Sequence, residues 1–435
     1  MEKLLELAKS RGCKAEVFSV RDKSVSMSKE NGAVSDVSAS IQSGVSLRVI
    51  RDGKIGTAFT RNLINREELL ENALLSLNAG VEVYYDFPDS GTVVHQADYD
   101  PSVEEKGYSD LKGIISAFEP CYSDMNDGVL SVSAGAGTTE LRLLNTSGAD
   151  LTQRDSEVYA VGSMTYPGSG TGLRNIIHGK SEVTPYLPDI ERTVRFFNDS
   201  LPEVSTGDCK MKVLIAPEVM YAMTWRLSSA TSAKAFHDKV SPLLNKRGQQ
   251  VLSPKISLVS DPTTGATGTR LFDDEGVAAA SVPIFDKGVF KTVYNNLDYA
   301  SRLGEKPVGT GFRGGMWGGD RITLLPAPSL AFAVYETGDK TFEEMLAMMD
   351  RGVIIFGVLG AHSGNILNGD LSIGLSPGLL VENGKVVGRV KDGMVAGNVY
   401  EMFSNVAAVE NQSHYTGSMY ENPSVLLDDV SVAGS

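Results

Sequence analysis

The chain has 435 residues and a formal net charge of −14. Its length exceeds the roughly 250–300 residues at which a single hydrophobic core stops growing, so two domains are expected. The negative charge repels phosphate backbones and argues against direct nucleic-acid binding.

Cysteine content and the N-terminus predict the compartment. Cys13, Cys121 and Cys209 are far apart and odd in number, which is typical of a reducing cytoplasm. The N-terminal residues predict an acidic amphipathic helix closed by Gly12, without the basic start and apolar core of a signal sequence. The longest apolar run, near residues 352–360, is about half of the roughly 20 residues that a membrane span needs. We therefore predict a soluble cytoplasmic protein without membrane contact.

The first half predicts helices packed on an antiparallel sheet. Asn65 begins a predicted helix that continues to Ala79, and Glu68 occupies its capping-box position. Asp52-Gly53 predicts a hairpin turn. Predicted strands are 15–20, 24–28, 44–51, 56–61, 129–133, 140–145 and 158–165, and further predicted helices are 109–118 and 188–198. Helices on one face of such a sheet make an α+β domain, which we assign to residues 1–203.

The second half, residues 204–435, is predicted to be a mainly antiparallel β domain with a few helices. A strand at 212–215 leads into a helix from Pro217 to about Ala230, and Thr341 caps another helix to Arg351. Strands at 282–285 and 289–294 form a predicted hairpin. Asn383-Gly384 supplies the two positive φ values of a type I′ turn between apolar runs.

Three motifs in the last third carry a family resemblance. They are Asn368-Gly-Asp-Leu-Ser372, Val381-Glu-Asn-Gly-Lys-Val-Val387 and Ala396-Gly-Asn-Val-Tyr-Glu-Met-Phe403. In order and spacing they resemble the TldD/PmbA family, in particular its PmbA (TldE) branch, and the resemblance extends back through residues 273–276 and 48–56. It implies paired subunits of a bacterial and archaeal metalloprotease that trims peptides. The family also carries the older name modulator of DNA gyrase.

The resemblance implies that this chain lacks the catalytic zinc. In the TldD branch the helix after the 212–215 strand carries His-Glu-x-x-x-His, but here the histidine positions hold Pro217 and Ala222. Glu218 matches the family glutamate and is the candidate catalytic residue. Its competing interpretation is a carboxylate that interacts with the helix dipole. The cysteine ligand of the TldD branch is absent from residues 411–418, and His414 alone cannot hold zinc.

Two further residues are candidates for substrate binding. Arg313 lies in a loop similar to the family's Thr-Gly-x-x-Arg loop, although it arrives one residue early. It could bind a peptide carboxylate or form a surface ion pair. Asn365 lies in a loop after His362 that is either an edge of the cleft or a simple turn.

Three short strings suggest other chemistries. Residues 309–314 match a dinucleotide fingerprint, but Pro307 and the glycine-rich residues 315–319 predict neither the preceding strand nor the following helix. Ser376 lies in a Gly-x-Ser-x-Gly string, but Pro377-Gly378 argues against the helix that a nucleophile elbow needs. Asp273-Asp-Glu-Gly276 could bind a divalent cation, although its spacing favours a solvated turn.

The leading hypothesis is a PmbA/TldE-type subunit that has no cofactor of its own and pairs with a zinc-bearing TldD-like subunit. Such a subunit would close the catalytic chamber and capture extended or unfolded peptides at its sheet edges. Two alternatives stay open. One is an autonomous peptidase with an unrecognised site around Glu218, and the other is a non-enzymatic peptide-binding adaptor. A homodimer is an alternative to the heterodimer.

Overall fold

Long antiparallel strands form the framework of the first half. The computed structural model describes residues 1–263, 269–314, 318–416 and 421–434. In chain order the elements of the first half are α1 (Glu2–Ser10), β1 (Lys14–Glu30), β2 (Ala33–Arg51), β3 (Lys54–Thr60), α2 (Arg66–Ser76), β4 (Val81–Glu82), β5 (Thr92–Asp98), α3 (Tyr108–Phe118), β6 (Val129–Asn145), β7 (Asp150–Thr165), β8 (Gly172–Gly179) and α4 (Leu187–Asp199).

The first sheet has the strand order β4-β3-β2-β1-β6-β7-β5, and β8 pairs with β7. Its longest strands are longer than the sequence predicts, because 15–20 and 24–28 merge into β1, and 129–133 and 140–145 merge into β6. The polar residues between the predicted strands continue the ladder. Asp22 pairs with Gln42 on one side and with Thr139 on the other, and the Thr139 hydroxyl donates to the Asp22 carboxylate at 2.7 Å.

The helices of the first half cover this sheet with apolar side chains. Leu4 of α1 and Leu69 of α2 are buried in one cluster with Val17 and Leu47 of the sheet. The predicted cap of α2 is confirmed, since the Glu68 N–H donates to the Asn65 side chain at 3.0 Å. The α helix ends at Ser76 and a 3-10 turn continues it to Ala79.

The described part of the second half contains more strands, most of them shorter, in one ten-stranded sheet and several small sheets. Its elements in chain order are β9 (Glu203–Val204), β10 (Cys209–Ile215), α5 (Met220–Thr231), α6 (Ala233–His237), β11 (Leu258–Ser260), β12 (Val282–Asp286), β13 (Val289–Phe290), α7 (Leu297–Leu303), β14 (Gly311–Phe312), β15 (Ala327–Pro328), β16 (Ala333–Tyr335), α8 (Phe342–Ala347), β17 (Arg351–Ile355), β18 (Val358–Leu359), β19 (Asp370–Leu375), β20 (Gly378–Glu382), β21 (Lys385–Val390), β22 (Met394–Asn398), α9 (Val399–Ser404), β23 (Val406–Val409), β24 (His414–Tyr415), β25 (Glu421–Asn422) and β26 (Val425–Ala433).

The central sheet of this half has the order β18-β19-β22-β26-β10-β17-β20-β21-β9, with β23 paired to β26. Strand pairs are mostly antiparallel, but β10 runs parallel to β17. The predicted type I′ hairpin is confirmed, since Asn383 and Gly384 have φ values of 50° and 73° between β20 and β21. Helix α8 is shorter than predicted because β17 already begins at Arg351, although the capping box of Thr341 and Glu344 is present.

The two halves share part of their hydrophobic core. Met164 and Phe197 of the first half pack in one cluster with Leu214, Phe342 and Leu426 of the second. In chain order, β8 is the last strand of the first sheet and β9 is the first strand of the second sheet. The shared cluster nevertheless joins the two halves. The domain limits of 1–203 and 204–435 therefore stay a prediction. The α+β class is confirmed. No helix in the described part of the chain is long and apolar enough to cross a membrane.

Candidate functional site

The site begins where the buried strand β10 ends. Strand β10 lies between β17 and β26, and the chain leaves it at Ile215. A 3-10 turn, Pro217–Val219, then leads directly into α5. Proline fits this first turn because its N–H group would have no helical partner. This geometry places Glu218 at the wall of a cleft beside the tip of the β7–β8 hairpin.

The two positions that hold histidine in the TldD-branch motif have no metal-binding side chain in this chain. Pro217 is buried, and Ala222 is fully buried on α5. Neither side chain has an atom that can donate electrons to zinc, so a zinc site of the His-Glu-x-x-x-His type does not fit this helix. Among the residues that the structure describes, no group of three or more His, Cys, Asp or Glu side chains is arranged to hold a metal ion.

The cleft beside Glu218 has a volume of about 350 Å³. Glu218 is half-buried, and its carboxylate oxygen Oε2 is shielded from solvent and has no hydrogen-bond partner among the described residues. Burial raises the pKa of Glu218, while its own backbone N–H and the nearby charge of Arg174 act in the opposite direction. The polar side chains around the cleft include Ser163, Thr165, Thr171, Arg174 and Ser376.

A second cavity, of about 1010 Å³, lies next to this cleft. The two share Tyr221 and Val358 in their walls. The larger cavity, which we call the apolar groove, is lined mainly by apolar side chains such as Trp225, Leu330 and Leu359. Together they offer a polar end with a buried carboxylate and a long apolar extension.

His414 lies near Glu218 within a cluster of charges. Its Nε2 is 3.0 Å from Oε1 of Glu410, and its Nδ1 is 3.6 Å from Oδ2 of Asp189. Burial opposes the charged imidazole, but the hydrogen bonds to Asp189 and Glu410 outweigh it and raise the pKa of His414 to about 9. Each ring nitrogen of His414 therefore faces a carboxylate of the protein.

Arg313 faces the interior and not the cleft. It is 3% exposed, and its guanidinium donates to Ser46 Oγ and the Leu324 carbonyl at 2.9 Å and lies 3.4 Å from Glu16 Oε1. Burial, together with the charge of Arg48, lowers its pKa to about 10. The expected surface ion pair is wrong because the pair is buried. Its role in substrate binding stays a prediction that these contacts do not support.

Asn365 lies on the loop that follows the cleft wall. Its side-chain oxygen accepts the Asn368 N–H at 3.2 Å, and its carbonyl accepts the Asp370 N–H at 3.0 Å, which is the geometry of a turn. Its neighbours His362 and Leu367 line the apolar groove, whereas Asn365 itself is exposed outside it. The substrate-binding role of Asn365 therefore stays a prediction.

The sequence gives little warning of Arg226, which anchors this loop. Its guanidinium is fully buried and donates, at 2.8 Å each, to the carbonyls of Ala222, Ser363 and Asp370. Burial lowers its pKa. The one available signal is an arginine in the apolar pattern of α5, four residues after Ala222.

Residues 309–314 do not have the geometry of a dinucleotide site. Gly311 and Phe312 form the short strand β14, which pairs with β15. The described part of this segment therefore lacks a strand-to-helix turn around the glycines. Residues 315–317 of the glycine-rich sequel lie outside the described residues, as do residues 417 and 418 of the segment compared with the TldD cysteine.

Ser376 also lacks the surroundings of a nucleophile. It lies in a turn between the two strands β19 and β20, and a nucleophile elbow needs a helix after the serine. Ser376 nevertheless lines the cleft beside Glu218. It therefore contributes a hydroxyl to the wall.

The acidic segment at residues 273–276 is buried, so the predicted solvated turn is wrong. Asp273 accepts the N–H groups of Glu275, Val277 and Gly311 at 2.8–3.0 Å. Asp274 lies 2.7 Å from Arg270, and Glu275 lies 3.1 Å from Arg48. Because these partners are protein groups, the segment needs no cation, and it joins the two halves of the chain.

Comparison with known proteins identifies the family. Residues 208–434, just over half of the chain, match the PmbA/TldA metallopeptidase C-terminal domain, and residues 15–76 match domain 1 of the same metallopeptidases. The chain belongs to the PmbA/TldD family. A relative in Methanocaldococcus jannaschii, described as uncharacterized, is 25% identical over 98% of both chains. A protein of Methanothermobacter thermautotrophicus named metalloprotease is 24% identical over 91% of this chain and 87% of its own.

Solved structures of this family have the same fold. TldE from Thermococcus kodakarensis superposes with a TM-score of 0.88, at 22% identity and full coverage of both chains. A putative modulator of a DNA gyrase from Thermotoga maritima superposes with a TM-score of 0.83, at 25% identity and 99% coverage of both chains. The PmbA/TldD fold therefore extends over the whole chain.

Proposed function

We propose that this chain is the PmbA/TldE-type subunit of a TldD/TldE-type metalloprotease that acts in cytoplasmic peptide maturation and proteolysis. The observation that carries the proposal is the start of α5, where Glu218 is present but Pro217 and Ala222 replace both histidines. The full-length likeness to TldE supports it. In this proposal a TldD-like partner holds the zinc, which supplies the activated water when bound.

The contribution of this chain would be to hold the peptide and close the chamber. The cleft beside Glu218 and the apolar groove are adjacent, since Tyr221 and Val358 line both. This arrangement suits an extended peptide with a polar group at one end and apolar side chains beyond it. Polar groups at one end would fix its orientation, and apolar surface along the groove would bind its side chains.

An unpaired sheet edge offers a place for the second subunit. Strand β3 covers β2 only from Val45 onward, so residues 33–43 pair with β1 on one side and have no strand on the other among the described residues. Val34, Val37 and Ile41 are 55%, 45% and 68% exposed along this edge. A long edge without lysine or proline is a template for strand addition. We therefore assign the subunit contact to this edge, which we call the β2 edge.

The proposal is tested by reconstitution with a TldD-type protein that carries His-Glu-x-x-x-His. Peptide hydrolysis is measured for each protein alone and for an equimolar mixture, with and without a chelator. We expect chelator-sensitive hydrolysis in the mixture and none from this chain alone. Hydrolysis by this chain alone would favour the autonomous peptidase, whereas a stable but inactive complex would favour the adaptor.

A matched pair of variants tests the β2 edge. Val37→Lys combined with Ile41→Lys places charge on the edge, and we expect it to weaken association at least about tenfold, because each buried charge is costly. Leu75→Lys on α2, where Leu75 is 64% exposed, is the control and should associate normally. Analytical ultracentrifugation of chain alone and mixture also separates homodimer from heterodimer. Equal weakening by both changes would contradict the assignment.

A further inference from the structure

The cleft beside Glu218 combines space with an unsatisfied charge. It occupies about 350 Å³ between the β7–β8 hairpin and the start of α5. Hydroxyl-bearing side chains surround it, namely Ser163, Thr165, Thr171 and Ser376. A cavity of this size holds several non-hydrogen atoms, so it has room for a ligand group as well as water.

The carboxylate of Glu218 lacks what other buried carboxylates of the chain have. Its Oε2 is shielded from solvent and accepts no hydrogen bond from the described residues. Arg174 lies at the cleft, but it is exposed and forms no ion pair with Glu218 in the described part of the chain. The backbone N–H of Glu218 and the charges of Arg174, His414 and Arg192 act on the carboxyl group, but none of them gives Oε2 a hydrogen bond. A shielded oxygen without a hydrogen bond costs free energy, and a cationic N–H donor would remove that cost.

The carboxylate and hydroxyl groups that line the cleft determine which type of cation it can bind. A primary ammonium has three N–H donors on a compact group, so one can bind the Glu218 carboxylate while the others bind hydroxyl oxygens. An anion would be repelled by Glu218. A cation without N–H groups would leave Oε2 without a hydrogen bond. The cleft therefore fits a primary ammonium.

The apolar groove defines what is attached to the ammonium. It begins at the Tyr221 and Val358 walls of the cleft and is lined by Trp225, Leu330 and Leu359. A ligand with an ammonium at one end and apolar groups beyond it would bury both parts. A peptide with a lysine or a free N-terminus next to apolar side chains has this structure.

We propose that the Glu218 cleft binds the primary ammonium group of a peptide whose neighbouring apolar residues occupy the apolar groove. The inference rests on the proposed function in that the ligand is a peptide. Glu218 is here a binding residue that selects the substrate, and the 3-10 turn before α5 positions it.

Isothermal titration of the full chain with four matched apolar hexapeptides tests this selectivity. The first is N-acetylated with one lysine, the second replaces that lysine with norleucine, the third has a free N-terminus without lysine, and the fourth is its acetylated form. We expect at least one ammonium peptide to bind at least tenfold tighter than its neutral counterpart. The pair in which the ammonium peptide binds more tightly than its neutral counterpart shows whether the ammonium comes from lysine or from the N-terminus. Equal affinities within both pairs would overturn the proposal.

Two variants locate the effect. Glu218→Gln should remove the preference for the ammonium peptide, while Glu71→Gln, on the exposed face of α2, should leave it unchanged. A preference that survives Glu218→Gln, in a variant whose thermal unfolding matches the parent, would also overturn the proposal. The norleucine comparison does not depend on any variant folding.

The outcome is separable from that of the proposed function. Peptide hydrolysis in the mixture with a TldD-type protein, without ammonium selectivity in this chain, would contradict the ammonium site alone. Ammonium selectivity without hydrolysis in that mixture would contradict the proposed function and leave the site standing.

Discussion

Two groups of shielded carboxylate oxygens in this chain have different surroundings. Between the two halves, Glu16 and Glu275 flank the Arg48 guanidinium at 2.9 Å and 3.1 Å, and Asp273 accepts three backbone N–H groups. We call this the interior network. In the cleft, the shielded oxygen of Glu218 has no such partner among the described residues.

The difference separates a structural role from a binding role. Burial raises the pKa of Glu275 and of Glu218 alike, so the titration of a carboxyl group does not distinguish the two regions. The hydrogen-bond partners do. In the interior network protein groups supply them, whereas at Glu218 a ligand can supply them. Changes to the interior network should therefore cost stability, and changes at Glu218 should cost binding.

The largest expected effect is that of Arg48→Met. Glu16 and Glu275 would both lose a charged partner at sites that are at most 1% exposed, and breaking such a buried pair costs about 3–5 kcal/mol in the free energy of unfolding. Denaturant unfolding measures the loss. The control is Arg195→Met, whose pair with Glu343 is half-exposed and should contribute less than about 1 kcal/mol. Similar losses in both variants would contradict the interior network.

The charge cluster near the cleft should give a pH-dependent effect of intermediate size. The folded-state pKa of His414, about 9, is above its ordinary value of 6.5. Its charged form therefore stabilises the fold fully below pH 6.5, and this stabilisation is lost as the pH rises through 9. The shift corresponds to at most about 3 kcal/mol.

We expect the difference in unfolding free energy between the parent and His414→Gln to shrink between pH 6.5 and pH 9. Urea titrations at several pH values measure it. His237→Gln, at a surface histidine beside Asp238, is the control for replacing an imidazole. A difference that grows with pH would show that the histidine is not held in its charged form by Asp189 and Glu410.

The smallest expected changes in unfolding free energy come from replacing one carboxylate in each region by its amide. Both carboxylate oxygens of Asp273 accept backbone N–H groups, and in Asp273→Asn one of these oxygens is replaced by the side-chain NH₂ group, which cannot accept. The loss of a hydrogen bond to a charged group costs about 1.5–3 kcal/mol. Glu218→Gln removes no hydrogen bond from Oε2 and removes a shielded charge, so it should not lower stability. Urea unfolding of both variants measures the contrast. A loss at Glu218 as large as that at Asp273 would mean that Glu218 also has a structural role.

The sequence predicts local features of the fold well. The Asn65 cap, the Thr341 capping box and the Asn383-Gly384 turn are confirmed, because each depends on residues that are neighbours in the chain. The full lengths of β1 and β6 are not predicted, because polar residues such as Asp22 interrupt the apolar pattern from which a strand is predicted. Their pairing with strands on both sides keeps them in the sheet.

Features that depend on distant residues could not be predicted in this way. The sequence at residues 273–276 is typical of a solvated turn. The ion-pair partner of Glu275 is Arg48, which lies far away in the sequence, in the first sheet. The surface ion pair predicted as one alternative for Arg313 fails for the same reason, since its partners Ser46 and Glu16 also lie in the first sheet. For the cleft, the sequence identifies Glu218 and the absence of histidine at positions 217 and 222. Most of the surrounding hydroxyl groups depend on the β7–β8 hairpin, which is distant in the sequence and lines the same cleft as Glu218.

We propose that this chain is a subunit of a zinc protease and does not itself hold the zinc. Native mass spectrometry of the reconstituted complex, followed by separation of the subunits and metal analysis of each, tests it most directly. The account predicts one zinc ion per pair, recovered with the His-Glu-x-x-x-His subunit. Stoichiometric zinc that remains with this chain after separation would contradict it.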